Sequence, residues 1–313
     1  MTRPKANSIA AGFAVTIISG IGLYNCSAEF GNPPQEHFEV IAGDTLLPDS
    51  CSPNFTDYKW KSFDSNAVSL CAVIAPPKGF YRVSAAPGTF AQWLRHVPIA
   101  NNQGHVLLFN GQPKNRQDVH HTILDIDPGK KDLQQCADAC MRLRAEYLFS
   151  KKKYDQITFR FTSGDPMGYA DWMKGKRIKI EGNKTRVVWQ QPVSGTIEDH
   201  KNLRTYLDYI FMYAGTLSLE REMKNVSADS IQAGDLFIRG GSPGHAVMIM
   251  DVARNTKGET VVIVAQSYMP AQQIHVVKNF EESAISPWIR VIPGSSFLTP
   301  EWDFTTAQIK RFQ

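Results

Sequence analysis

Two stretches of the chain repeat apolar residues at helical spacing, and a series of short apolar runs surrounds them. In Lys131–Ser150 (KDLQQCADACMRLRAEYLFS), Cys136, Cys140, Leu143 and Tyr147 recur at steps of three and four, which stacks them on one helical face. Asp132 with Gln135 three residues on has capping-box spacing, so the helix is expected to open there and carry Cys136 in its first turn. Lys201–Leu219 has the same period, with Leu203, Leu207, Ile210, Phe211 and Ala214 toward the core and Gly215 closing its regular part. Thr89–His96 predicts a short helix. Strands are expected at His105–Phe109, which runs into an Asn110-Gly111 turn, and at His120–Ile126 and Gln156–Thr162. Ser163–Trp172 reads as a loop.

The C-terminal half carries three further strands. Ala233-Gly234-Asp235 turns into Leu236–Arg239, and a glycine-rich loop at 240–244 leads to His245 and the strand Ala246–Met250. Thr260–Ala265 follows and ends in Gln266-Ser267-Tyr268. Asn255 and Gly258 in the connection suit a hairpin, and that pairing places Gln266 beside His245. The pattern predicts an α+β fold with a central helix packed on an antiparallel sheet.

The N-terminus divides the chain further. Arg3 and Lys5 precede an uncharged apolar run, Ile9–Tyr24, followed by the small residues Ser27 and Ala28. Residues 1–28 therefore read as a secretory signal, with an uncleaved anchor or a lipidated Cys26 as alternatives. Residues 29–79 are turn-rich, closing at Pro76-Pro77-Lys78-Gly79, and form an N-terminal extension to a domain at 80–313. Export to the periplasm or cell envelope makes a Cys51–Cys71 disulfide plausible. A net charge of +4 with no basic, aromatic-interleaved run argues against nucleic acid. The only membrane contact foreseen is through the N-terminal anchor or Cys26. Paired CxxC or HxxxH spacings are missing, so neither a metal nor another cofactor is expected.

The chemistry centres on Cys136. A thiol in the first turn of a helix meets unpaired N–H groups and the positive end of the dipole, which favour thiolate. A Cys–His nucleophile also needs an imidazole within reach and a polar group to orient it, and His245 and Gln266 follow in that order. An ion pair between thiolate and imidazolium is expected near neutral pH. The backbone N–H of Cys136, with the side chain of Gln134 or Gln135, would hold the oxyanion, and Ser267 gives support. Gln272 or His275 fills the third role if the strand register differs. Asp138, Arg144, Tyr169 and Trp172 are candidate substrate contacts. The plain alternative is that Cys136 packs as a small hydrophobe and His245 is held by backbone.

These motifs resemble known families. Gly234-Asp235-Leu236-Phe237 and the histidine opening an apolar strand, behind a helix that begins with cysteine, resemble the NlpC-type branch of the papain-like superfamily. QQCADACMRLRAEYL, GGSPGHAVMIMD and AQSYMPAQ are similar to a bacterial family known as domain of unknown function 4846, from about Phe80 to the C-terminus. Around the cysteine, Gln135-Cys136-Ala137-Asp138 replaces the usual Asp-Cys-Ser-Gly of the NlpC branch. The resemblance implies a papain-like core and an exported cysteine hydrolase that cleaves amide bonds of peptidoglycan stem peptides. A non-catalytic envelope protein binding a cell-wall or peptide ligand is the competing class, and a lipid-directed acyltransferase is a third.

Overall fold

The apolar runs of the C-terminal half form the centre of one sheet. Leu236–Arg239 pairs with His245–Arg254, which pairs with Thr260–Gln266, all antiparallel. The two longer strands are buried along nearly their full length, so they read as continuous apolar runs without polar alternation. The computed structural model describes residues 51, 54–101, 104–182 and 184–313. The signal or anchor read at 1–28, with Cys26, and residues 29–50 of the extension lie outside the described residues. Among the described residues the sheet has nine strands, seven of them in the order 120–123, 275–277, 260–266, 245–254, 236–239, 309–311 and 224–225. Tyr81–Arg82 pairs with the far end of His245–Arg254, and Ile289–Val291 pairs with Thr260–Gln266. Helices and a mainly antiparallel sheet make the fold α+β.

Alternation across the pleat splits the apolar side chains between two cores. Ala246, Met248 and Met250 join Val261, Ile263 and Ala265 on the face that the helices cover. Val247, Ile249, Val262 and Val264 join Phe237, Phe297 and Phe304 on the opposite face. A bulge where the register shifts between Ile263 and Val264 changes the parity, which returns Ala253 to the helical face.

The central helix is Cys136–Ser150, five residues shorter at its start than expected. The cap is Gln135, whose backbone N–H donates to Asp138 Oδ2 at 3.1 Å. Asp132 does not cap the helix, because its Oδ1 accepts from Ala271 N at 2.7 Å and from Gln135 Nε2 at 3.1 Å. Cys136 is therefore the first helical residue. Burial extends around the helix beyond a single face and takes in Arg142 and Glu146, which pair at 2.6 Å. Half-buried His200 lies at the edge of that pair, 2.8 Å from Glu146.

The second amphipathic stretch is two helices, His200–Phe211 and Thr216–Glu222, broken at 212–215. Leu203, Leu207, Ile210 and Phe211 are buried as expected. His105–Phe109 forms no strand; Leu107 and Leu108 make single bridges to Pro113 and Gln272. The expected loop at 163–172 holds a short strand, Pro166–Gly168, and a short helix, Tyr169–Met173. Tyr58, Leu70 and Ile74, all ahead of residue 80, pack into the main core.

Candidate active site

A cleft of about 420 Å³ opens where the cysteine helix begins. The break between the two later helices supplies Phe211, Gly215 and Thr216, and the glycine-rich loop supplies Gly241–Gly244. Cys136 and His245 both line this cleft. Cys136 keeps part of its surface open, whereas His245 is 1% exposed. Among the described residues no hydrogen bond joins the two, so the structure brings them to one cleft without the direct contact the sequence suggested.

Their charge states differ from the expected ion pair. Burial, with the Asp138 carboxylate, pushes the Cys136 thiol up to about 11. Backbone N–H groups of Ala137, Ala246 and Cys136 act the other way and are outweighed. Burial pulls His245 down to about 4, against the stabilising hydrogen bond it donates to Gln266 and with the Lys114 charge adding to the fall. The resting pair is a neutral thiol and a neutral imidazole.

Gln266 is satisfied at every amide position. Its Oε1 lies 2.8 Å from His245 Nε2, and its Nε2 donates to Glu301 Oε2 at 2.7 Å. The second amide hydrogen points to His275 Nε2 at 3.4 Å. Glu301 also pairs with buried Lys114. A carboxylate only accepts, so Glu301 fixes the amide with its oxygen toward His245. His245 then carries its proton on Nε2, and Nδ1 is the basic nitrogen. His275 sits opposite Gln266 in the register, and its Nδ1 donates to the Gln273 carbonyl at 2.9 Å. Burial pulls it down to about 3, so it buttresses the amide as a neutral ring and does not replace Gln266. The Gln272 amide donates to the Pro270 carbonyl at 3.0 Å. Around His245 stand the rings of Tyr268 at 4.9 Å, Trp302 at 5.4 Å and Phe304 at 5.9 Å.

The other candidates separate. Gln135 and Asp138 line the cleft. Asp138 is buried, its Oδ1 has no partner, and burial raises its carboxyl well above the usual range. Gln134 does not line the cleft; its Oε1 accepts from Arg142 at 3.0 Å and its Nε2 reaches the Asp127 carbonyl at 3.4 Å. Ser267 Oγ lies 2.9 Å from the carbonyls of Gln134 and Gln272, so it ties the strand end to the segment ahead of the helix. Tyr169 and Trp172 are core residues, stacked at 6.4 Å, with the Tyr169 hydroxyl donating to the Ile197 carbonyl at 3.0 Å. Their rings fill the space over the helix His200–Phe211, which removes them from the cleft. Arg144 lines a different cavity. Cys51 and Cys71 are free thiols whose side chains are within hydrogen-bonding reach of each other.

Lys114, Glu301 and Trp302 were missed from sequence. They lie far along the chain from both site motifs, and no local pattern marks them. Among the described residues no group of three His, Cys, Asp or Glu converges as a metal site, and no helix is long and apolar enough to cross a membrane. A family model described as a domain of unknown function, number 4846, matches residues 70–311, a span that includes the whole cleft. No curated protein and no solved structure matches the chain.

Proposed function

We propose, from the premise that the chain belongs to the domain-of-unknown-function family 4846, that it is a cysteine hydrolase of amide bonds. The observation that carries this reading is the Gln266 amide, which holds His245 as a base on Nδ1 in the cleft that contains Cys136. Cys136 Sγ attacks the amide carbonyl carbon while its proton passes to His245 Nδ1. Because the resting pair is neutral, proton transfer accompanies attack, as in a serine–histidine pair. The C–N bond then breaks as His245 returns the proton to the leaving amine. Water, deprotonated by His245, attacks the thioester carbonyl; the C–S bond breaks, the acid is released, and His245 returns the proton to Cys136 Sγ. The backbone N–H of Cys136, at the helix start, is the donor for the developing oxyanion. Burial favours the protonated Asp138 carboxyl, which can donate to a substrate carbonyl.

The cleft's size suits a short peptide. Together with the apolar, uncharged run near the N-terminus, this favours a peptidoglycan stem peptide in the envelope, and the Cys136-then-His245 chain order supports a papain-like, NlpC-type core from which the amide in third place departs. A second reading, a non-catalytic envelope protein that binds the same ligand, is favoured by the missing Cys136–His245 hydrogen bond and the raised thiol. The cleft lining mixes Asp132, Asp138 and Thr216 with Phe211 and Met269, which gives little support to a lipid-directed acyltransferase.

The test is to incubate the full chain with muropeptides and follow new amine and carboxyl termini by mass spectrometry. Products that vanish in Cys136→Ala and in His245→Ala support the hydrolase. Saturable binding without products, unchanged in Cys136→Ala, leaves the binding reading.

A further inference from the structure

The cysteine helix also contributes to a second cavity, of about 380 Å³, which Cys136 and His245 do not line. Three arginines line it, Arg95, Arg144 and Arg311, and no acidic residue does. Two of them are committed. Arg95 holds Asp251 Oδ1 through Nε at 3.0 Å and Nη2 at 2.9 Å. Arg311 holds Asp235 through Nε at 2.6 Å and Nη2 at 2.8 Å. Asp251 also pairs with Arg82, so two cations share one carboxylate there.

Arg144 differs from both. Its guanidinium lies against the rings of Phe90 at 5.2 Å, Phe312 at 5.6 Å and Tyr147 at 5.7 Å. Among the described residues it makes no hydrogen bond and no ion pair. The aromatic contacts engage the charge but, among the described residues, give the guanidinium N–H groups no protein acceptor. A Cβ at Gly234 would meet Phe90 at 2.8 Å, so the Phe90 ring packs directly on that glycine's backbone. The site therefore carries positive charge in excess of its acids.

We propose that this cavity binds a small ligand through an oxyanion, a carboxylate or phosphate group held edge-on by the Arg144 guanidinium. A planar fork of N–H donors matches two oxygens of either group. Val83, Ala86 and Val252 give an apolar wall for the ligand's body. The site is independent of the cysteine chemistry, since none of its binding groups belongs to the cleft.

The experiment is thermal unfolding of the full chain in rising sodium phosphate and, separately, sodium succinate, each against sodium chloride of equal ionic strength. At least one oxyanion is expected to raise Tm in a saturable way beyond chloride. Arg144→Gln is expected to weaken that midpoint about tenfold or more, from loss of charged hydrogen bonds. Arg144→Lys keeps the cation against the rings and is expected to weaken it without unfolding the chain. If Arg144→Gln does not fold, phenylglyoxal modification of Arg144 in the wild type reads the same contact. The oxyanion is expected to slow it. Neither anion exceeding chloride, an unaltered response in the variants, or modification unaffected by the anion each overturns the proposal.

Discussion

The Glu301 carboxylate decides which way the Gln266 amide faces. Gln266 Nε2 donates to Glu301 Oε2 at 2.7 Å, which turns the amide oxygen to His245 Nε2 at 2.8 Å. A residue 35 positions further along the chain thereby sets the tautomer of the imidazole.

This geometry predicts an Nε2–H tautomer for His245 in the wild type. Nitrogen-15 NMR of the labelled ring is expected to show it as one dominant form. In Glu301→Ala the amide loses its fixed orientation, and a mixture of tautomers is expected. An Nδ1–H signal in the wild type would contradict the assignment of Gln266.

Lys114 and Glu301 form a pair with side chains only 6% and 9% exposed. Removing one partner strands the other charge, so Lys114→Met is expected to cost about 3 kcal/mol in urea unfolding. Glu301→Gln keeps an acceptor for Gln266 and removes the charge. Combined with Lys114→Met it is expected to recover part of the loss. Additive single losses would show that the pair is not coupled.

Two buried histidines predict acid sensitivity. His245 and His275 fall from an ordinary 6.5 to about 4 and about 3, both mainly through burial. Between pH about 6.5 and these values the unfolded chain takes up protons that the folded chain refuses. Their contribution is complete above pH about 6.5 and is lost as pH falls, with a limiting slope of about 1.4 kcal/mol per pH unit for each ring. His275→Gln is expected to flatten urea-derived stability against pH relative to the wild type. A parallel profile would remove His275 from the account.

The raised Cys136 thiol predicts slow alkylation. At pH 7 iodoacetamide is expected to modify Cys136 roughly 100-fold more slowly than an unperturbed thiol, with the rate climbing through alkaline pH. His245→Ala is expected to leave the resting rate nearly unchanged. Rapid modification below pH 7 that collapses in the variant would instead indicate an ion pair.

Cys51 and Cys71 face each other as thiols, and burial pushes Cys71 up to about 12. In a glutathione redox buffer they are expected to form a disulfide, detected as a linked peptide after non-reducing digestion. Closing that loop is expected to add about 3 kcal/mol to stability. A fully reduced pair under those conditions would show that the local geometry forbids the bond.

What the sequence determined is local. The strands Leu236–Arg239 and Thr260–Gln266, and the hairpin that sets Gln266 beside His245, were legible because period, turn residues and apolar runs are short-range signals. Cys136 at a helix start was legible for the same reason, although Gln135, bonded to Asp138, and not Asp132 is the cap. Tertiary structure alone decided the rest. It buried Tyr169 and Trp172 in the core, turned Gln134 to Arg142, placed Arg144 in a separate cavity, and brought Lys114 and Glu301 behind Gln266. It also set the protonation of the site. Helix position favours a thiolate, but desolvation of both Cys136 and His245 outweighs it, and desolvation depends on every element packed around a group.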